Sequence, residues 1–373
     1  MKRRDWIKNS SLAIGATYLS RASFGNEASA EKASFESSHG FTNLSINENQ
    51  FGPSPLAVKA IKDSSQYAQE YPLGGQARLK STIARHEGVS VDQVILGAGS
   101  SDIIMGASSV FGLGGGNIVS SDPSFGPLMM WAKKFGIEHV KIPWTSNHGI
   151  DLEGIEKAIT SETQVVYICN PENPVGTMAG TSELYEFCKR VSQRCPILID
   201  EAYLDFAGDV DKLTMMRCVR EGMPVIVLRT FSKAYGLGGM RVGYAVCQKE
   251  LAAELSDYYV TGIGCGCSHV SLEAALAAYH DQDYLKSVRE RTAEMRSQTI
   301  SSLKEKGYEP IPSVTTFVLV PIEKDSKAVA DAIFGGFGVK VSPRFYYEQN
   351  FLRISMGRPD QMAKLDKALK IIL

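Results

Sequence analysis

The chain has 373 residues, 44% of them hydrophobic and 22% charged, with a formal net charge of −1, the balance of an ordinary soluble protein of enzyme size. A charge so near zero argues against a nucleic-acid partner, and 34 Gly and 15 Pro without a period argue against a collagen-like or disordered chain. The 7 cysteines are irregularly spaced and form no CxxC, so neither a disulfide framework nor a zinc site is expected.

The chain opens with a basic stretch holding Lys2, Arg3, Arg4 and Lys8, passes through a mildly apolar run from Ser10 to Leu19, and reaches the small residues Ala28-Ser29-Ala30. That order is the order of a cleavable export signal. Arg3-Arg4 and the modest hydrophobicity resemble a twin-arginine signal, although Lys2 stands where Ser or Thr is usual. Cleavage is expected after Ala30, which gives a periplasmic or otherwise exported protein and no membrane attachment after cleavage. No later window is long and apolar enough for a membrane span.

Between residues 90 and 246, short β-rich runs alternate with amphipathic stretches. The strands are expected at Val94-Leu96, Asn117-Ser120, Val140-Ile142, Val165-Cys169, Ile197-Ile199, Val225-Leu228 and Val242-Val246. Helices are expected at Ser101-Val110, Ser124-Phe135, Leu152-Ile159 and Ser182-Arg194. This alternation predicts an α/β domain with a mostly parallel sheet flanked by helices. Later come a helix at Ser268-Tyr279, a long one from Asp283 to Lys306, short β runs at Thr316-Val320 and Leu352-Ser355, and a closing helix at Gln361-Ile371, which together read as a smaller α+β domain.

The chemistry gathers where predicted strands end. Val94 to Leu96 runs through Gly97-Ala-Gly99 into Ser100 and Ser101 at a helix start, where free N–H groups would suit a phosphate. The segment contains neither GxGxxG nor GxxxxGK[ST], so neither a dinucleotide site nor a P-loop is indicated. Phe125 follows another strand end and could stack on a flat ring. Asn173 sits in the rigid turn Asn170-Pro-Glu-Asn-Pro-Val-Gly176, and Asp200 ends an apolar run, well placed to hold a pyridinium N–H. Lys233 follows the run Val225 to Leu228 and the turn Thr230-Phe-Ser232, where desolvation would favour its neutral amine; Arg241 lies eight residues on. A phosphate cradle, an aromatic face, an amide, a carboxylate, an amine and a cation are together the needs of pyridoxal 5'-phosphate.

At this point the sequence resembles fold-type I aminotransferases, and among them the histidinol-phosphate aminotransferase family, over nearly the whole mature chain. The residues that carry the resemblance are Asn47-Glu-Asn-Gln-Phe-Gly-Pro-Ser-Pro55, Tyr71-Pro-Leu-Gly-Gly-Gln-Ala-Arg-Leu79, Asn170 to Gly176, Asp200-Glu-Ala-Tyr203, Ser232-Lys233 with Arg241, and Leu352-Arg-Ile-Ser-Met-Gly357. It implies a signal at 1–30, an N-terminal arm and part of the small domain at 31–66, a large cofactor-binding domain at 67–262, and a C-terminal small domain at 263–373. It makes Lys233 the lysine that carries the cofactor and shuttles the proton, and Asp200 the partner of the ring nitrogen. Asn173 and Tyr203 would hold the ring's phenolic oxygen, with Phe125 stacked on the ring. Ser100, Ser101, Thr230, Ser232 and Arg241 would bind the phosphate. Tyr71 would reach that phosphate from a second subunit, which implies a homodimer, and Arg353, with Asn173 beside it, would clamp the substrate carboxylate.

The implied reaction moves an α-amino group between an amino acid and a 2-oxo acid. The alternative on the same scaffold is a decarboxylase, lyase or racemase; an amino-acid-binding protein that kept the fold without catalysis would contradict intact Lys233, Asp200 and Arg353. The pattern departs at Ser342, where the family has an arginine before a proline that serves the substrate's own phosphate, with Lys340 or Arg344 as the cations near enough to compensate. Thr316 replaces a more usual Asn. With the export signal, these departures point to a substrate other than histidinol phosphate. Cys265-Gly-Cys267 lies where the family lines its site entrance and suggests a pocket wall rather than a strained disulfide.

Overall fold

The computed structural model describes residues 40–259 and 266–373; the expected export signal with its cleavage site, and Cys265, lie outside the described residues. The strands in chain order are β1 (Thr42–Asn43), β2 (Val94–Gly97), β3 (Asn117–Ser121), β4 (Glu138–Ile142), β5 (Thr163–Cys169), β6 (Ile197–Asp200), β7 (Val225–Thr230), β8 (Gly243–Val246), β9 (Phe317–Ile322), β10 (Val339–Lys340), β11 (Ser342–Tyr346) and β12 (Gln349–Ser355).

Seven of them form one sheet in the order β2-β8-β7-β6-β5-β3-β4. All neighbours are parallel except β8, which runs antiparallel to both β2 and β7. The inner strands β6 and β7 are buried at every position, because helices cover both faces of the sheet. On one face Tyr167, Cys169, Leu198, Ile226 and Leu228 pack against Ile103, Ile104 and Ala107 of the helix Ser100–Gly112 and Leu255 of the helix Lys249–Tyr259. On the other, Val166, Ile168, Ile197, Ile199 and Val227 meet Leu79 and Ile83 of the helix Leu73–Glu87 and Leu184, Phe187 and Val191 of the helix Thr181–Val191.

A second core stands on the antiparallel sheet β11-β12-β9. Val318, Val320, Leu352 and Ile354 pack there with Met295 and Leu303 of the helix Gln282–Glu305, Ile333 of the helix Ser326–Phe337, and Leu365 and Leu369 of the helix Pro359–Ile372. Leu44 joins this core and β1 pairs with β10, so the start of the described chain is held by its end.

The fold departs from the sequence reading at several elements. The helix expected over Ser124-Phe135 is shorter: it runs from Pro127 to Ala132 and tightens into a 3-10 turn at Lys133–Phe135. Gly126-Pro127 sets that start, since proline fits the first helical turn, where its missing N–H costs nothing. The helices Pro55–Ser64, Leu73–Glu87, Lys249–Tyr259 and Ser326–Phe337 lie outside the runs anticipated above. The helix at Leu73 opens through Gly74-Gly75, poor helix formers by themselves. Packing explains the second glycine, because a Cβ on Gly75 would lie 3.3 Å from Leu272 in the helix His269–His280. Among the described residues no helix is long and apolar enough to cross a membrane.

Candidate active site

The carboxyl ends of β2, β6 and β7 open into one cavity. It is lined by Ser100, Ser101, Phe125, Asn173, Asp200, Ala202, Tyr203, Thr230, Ser232, Lys233 and Arg241. Ligands bind at this end of open α/β sheets because the strand-to-helix turns supply side chains without burdening the core. Ten residues singled out in the sequence are thus brought together. Arg353 borders them through Asn173, whereas Tyr71 is 72% exposed and lies outside this cavity.

One end of the cavity is an anion cradle. The turn after β2 passes through Gly99 at φ +83, and the helix Ser100–Gly112 begins with no side chain capping it. Arg241 lies over this turn: a Cβ on Gly99 would fall 2.3 Å from its Nη2, and a Cβ on Gly243 would fall 2.3 Å from the Ser100 nitrogen. The guanidinium donates to Ser232 Oγ at 3.2 Å and to the Gly238 carbonyl at 2.9 Å, while Ser232 N–H donates to Thr230 Oγ1 at 3.1 Å. Free helix N–H groups, four hydroxyls and a cation with neutral partners suit a phosphate.

At the opposite end Asp200 is buried, and burial raises its pKa to about 6. Its carboxylate accepts from Tyr167 Oη at 3.0 Å and from the Ala202 N–H at 3.0 Å. Tyr167 had no assigned role in the sequence. It stands on the same face of β5 as Cys169, whose register partner is Asp200, a relationship visible only once the strands are paired. Lys233 Nζ reaches the Ile46 carbonyl at 3.5 Å and lies 5.6 Å from the centre of the Tyr203 ring. Burial, followed by the charge of Arg353, lowers its pKa to about 8.

The turn at Asn173 is braced by Glu172, which the sequence reading also passed over. The Glu172 carboxyl accepts from Ser124 Oγ at 2.6 Å and from the Asn173 N–H at 3.1 Å. Burial raises its pKa to about 8, and its Oε2 has no partner. Asn173 Oδ1 accepts from Arg353 Nη1 at 2.7 Å; Arg353 Nη2 donates to the Ser45 carbonyl at 2.9 Å, and its buried Nε is left without a partner. Across the β11–β12 pair, Ser342 stands opposite Arg353 and Arg344 opposite Phe351, on the same face. Burial, with the charge of Arg344, lowers the Arg353 pKa to about 10. Lys340 and Arg344 also line an outer groove beside Asp331 and Phe334. Cys267 is buried, with Sγ 3.2 Å from the Gly97 carbonyl, so it packs under the cradle turn. Among the described residues no group of three His, Cys, Asp or Glu is placed to hold a metal ion.

These groups fit pyridoxal 5'-phosphate. Asp200 is a buried carboxylate bonded by neutral donors alone and suited to a ring N–H, and Lys233 has a depressed pKa beside it. The glycines at 99 and 243 keep the cradle open where a Cβ would close it.

Comparison with known proteins gives the family. The family described as aminotransferase class I and II matches residues 39–371, and the chain belongs to that family. It is 34% identical to a histidinol-phosphate aminotransferase of Akkermansia muciniphila, over 90% of this chain and 91% of that one. The solved structure of histidinol-phosphate aminotransferase from Sinorhizobium meliloti in complex with pyridoxal-5'-phosphate superposes with a TM-score of 0.83, at 29% identity over 89% of this chain and 90% of that one. L-threonine-O-3-phosphate decarboxylase from Porphyromonas gingivalis shares the fold, with a TM-score of 0.75 at 20% identity over 88% of this chain and 98% of that one. The chain is a pyridoxal 5'-phosphate-dependent aminotransferase of the histidinol-phosphate aminotransferase-like kind.

Proposed function

We propose that this enzyme exchanges the amino group of an α-amino acid with a 2-oxo acid, acts on a substrate other than histidinol phosphate, and works as an exported homodimer. The observation that carries the substrate reading is Ser342. Where the family pattern has an arginine for the substrate phosphate, this chain has a buried hydroxyl facing Arg353 across two strands. Arg353, with its Nε unpartnered, suits a single carboxylate.

Pyridoxal 5'-phosphate supplies an electrophilic carbon and an electron sink when bound. The chain's residues do the rest. Ser100, Ser101, Thr230, Ser232 and Arg241 would hold the phosphate, Phe125 would contact the ring, and Asp200 would bind the ring N–H. Tyr203 and Asn173 hold the ring oxygen. Lys233, whose lowered pKa of about 8 leaves roughly a tenth of its amine neutral at pH 7, would take the substrate's α-proton and return it. Arg353 orients the α-carboxylate so that the proton faces Lys233.

The exposed apolar side chains Tyr67 and Leu73, within four residues of Tyr71, support a subunit contact that brings Tyr71 to the partner's phosphate cradle. Arg3-Arg4 and Ala28-Ser29-Ala30 support export. The substrate test is steady-state kinetics with histidinol phosphate beside a panel of L-amino acids; a higher kcat/KM for histidinol phosphate than for every amino acid contradicts the reading. Sedimentation reads the dimer. Fractionation of cells making the Arg3→Lys, Arg4→Lys chain reads export, with retention inside the cell expected.

A further inference from the structure

Asn47 belongs to none of the binding or catalytic groups above, yet its surroundings are unusually specific. It is buried, with 2% of its surface exposed, and adopts the left-handed backbone at φ +59. Only Gly, Asn and Asp enter that region readily, and of these Asn alone has a side-chain donor. Its backbone N–H donates to Ser355 Oγ at 3.0 Å, and the Ser355 hydroxyl donates back to Asn47 Oδ1 at 2.9 Å. The amide is therefore oriented with Nδ2 outward, and Nδ2 donates to the Tyr203 oxygen at 2.9 Å.

A second amide does the same from the other side. Arg353, which has donors only, takes Asn173 Oδ1, so Asn173 Nδ2 faces the Tyr203 oxygen at 3.4 Å. A phenol oxygen accepts twice and donates once. With two amides on its acceptor positions, and no acceptor for its proton among the described residues, the Tyr203 O–H is left to point into the cavity it lines.

We propose that Asn47 is a positioning residue that acts through Tyr203, fixing that side chain as a donor toward the cofactor's ring oxygen. The inference rests on Tyr203 facing that oxygen, as in the reading above. A donor at a phenolate stabilises its charged form, so Asn47 helps hold the ring oxygen ionised near neutral pH.

The test is the pH titration of the visible absorbance of the purified, cofactor-loaded protein, with thermal unfolding as the check on folding. Asn47→Asp keeps the left-handed backbone but replaces the donor by an acceptor, which draws the Tyr203 proton away from the cavity. Asn47→Gly keeps the backbone and deletes the amide without adding charge. Loss of a hydrogen bond to an ionised oxygen corresponds to a shift of about one pH unit or more. The expected result is an upward shift of that size for Asn47→Asp, a smaller one in the same direction for Asn47→Gly, and no further shift when Asn47→Gly is added to Tyr203→Phe. An unchanged midpoint in folded Asn47→Gly, or an equal shift with and without Tyr203, overturns the inference. If Tyr203→Phe itself leaves the midpoint unchanged, the placement of Tyr203 at the ring oxygen has failed instead.

Discussion

Arg353 and Asn173 form one unit: the guanidinium Nη1 donates to the amide Oδ1 at 2.7 Å, across 180 residues of sequence. Arg353 thus fixes which way the Asn173 amide faces. In the proposed function this bond would join substrate recognition to the environment of the ring oxygen.

Replacing Arg353 by Gln removes the paired donors that a carboxylate would use. Gln keeps one amide donor, so about one charge-assisted bond of about 1.5–3 kcal/mol is lost, and KM for amino acid and 2-oxo acid is expected to rise roughly 10- to 100-fold, with a smaller fall in kcat. Initial-rate kinetics on both substrates measure the split.

Lys233 is expected to react with added cofactor as a neutral amine. Its pKa is lowered from 10.5 to about 8, so the rate of pyridoxal 5'-phosphate uptake by the apoprotein should climb with pH and level off with a midpoint near 8. Stopped-flow absorbance reads that rate. A rise that continues to pH 10.5 would mean that the amine is not desolvated.

Burial of Glu172 is expected to make stability fall as pH rises from about 4.5 to 8. Its folded pKa of about 8 lies above the ordinary carboxyl value of 4.5, so the folded state binds the proton more tightly than the unfolded state does. The stability tied to that proton is fully present below 4.5 and is lost as pH rises through 8. Glu172→Gln, which imitates the protonated form, should flatten the fall in Tm between about pH 4.5 and 8. Calorimetry of both proteins across that window measures it.

Gly243 tests the cradle. Its Cβ would meet the backbone nitrogen of Ser100 at 2.3 Å, a contact that no side-chain motion relieves. Gly243→Ala is expected to displace the helix start and weaken cofactor binding roughly 10- to 100-fold, following overpacking costs of about 1–3 kcal/mol. Equilibrium dialysis against pyridoxal 5'-phosphate gives the Kd.

The large sheet was legible because β5, β6 and β7 are covered on both faces and read as continuous apolar runs. The site was legible for the same reason, since Asp200, Thr230 and Lys233 each lie at or just beyond the end of such a run. What depends on pairing was not. The antiparallel direction of β8 and the bond from Tyr167 to Asp200 follow from register, which composition does not encode. Gly74-Gly75 obscured a helix that packing maintains, and Asn47 stood in a quoted motif with no role because its partners Tyr203 and Ser355 are 156 and 308 residues away.

The central claim, amino transfer to and from Lys233-bound pyridoxal 5'-phosphate, is tested most directly by adding L-amino acids one at a time to the purified, cofactor-loaded protein while recording the visible spectrum and identifying the product. Loss of the lysine-bound cofactor band with one equivalent of the matching 2-oxo acid, and no such reaction in folded Lys233→Ala, is the predicted result. Consumption of an amino acid with release of carbon dioxide, or with inversion at its α-carbon, and no 2-oxo acid, would contradict it.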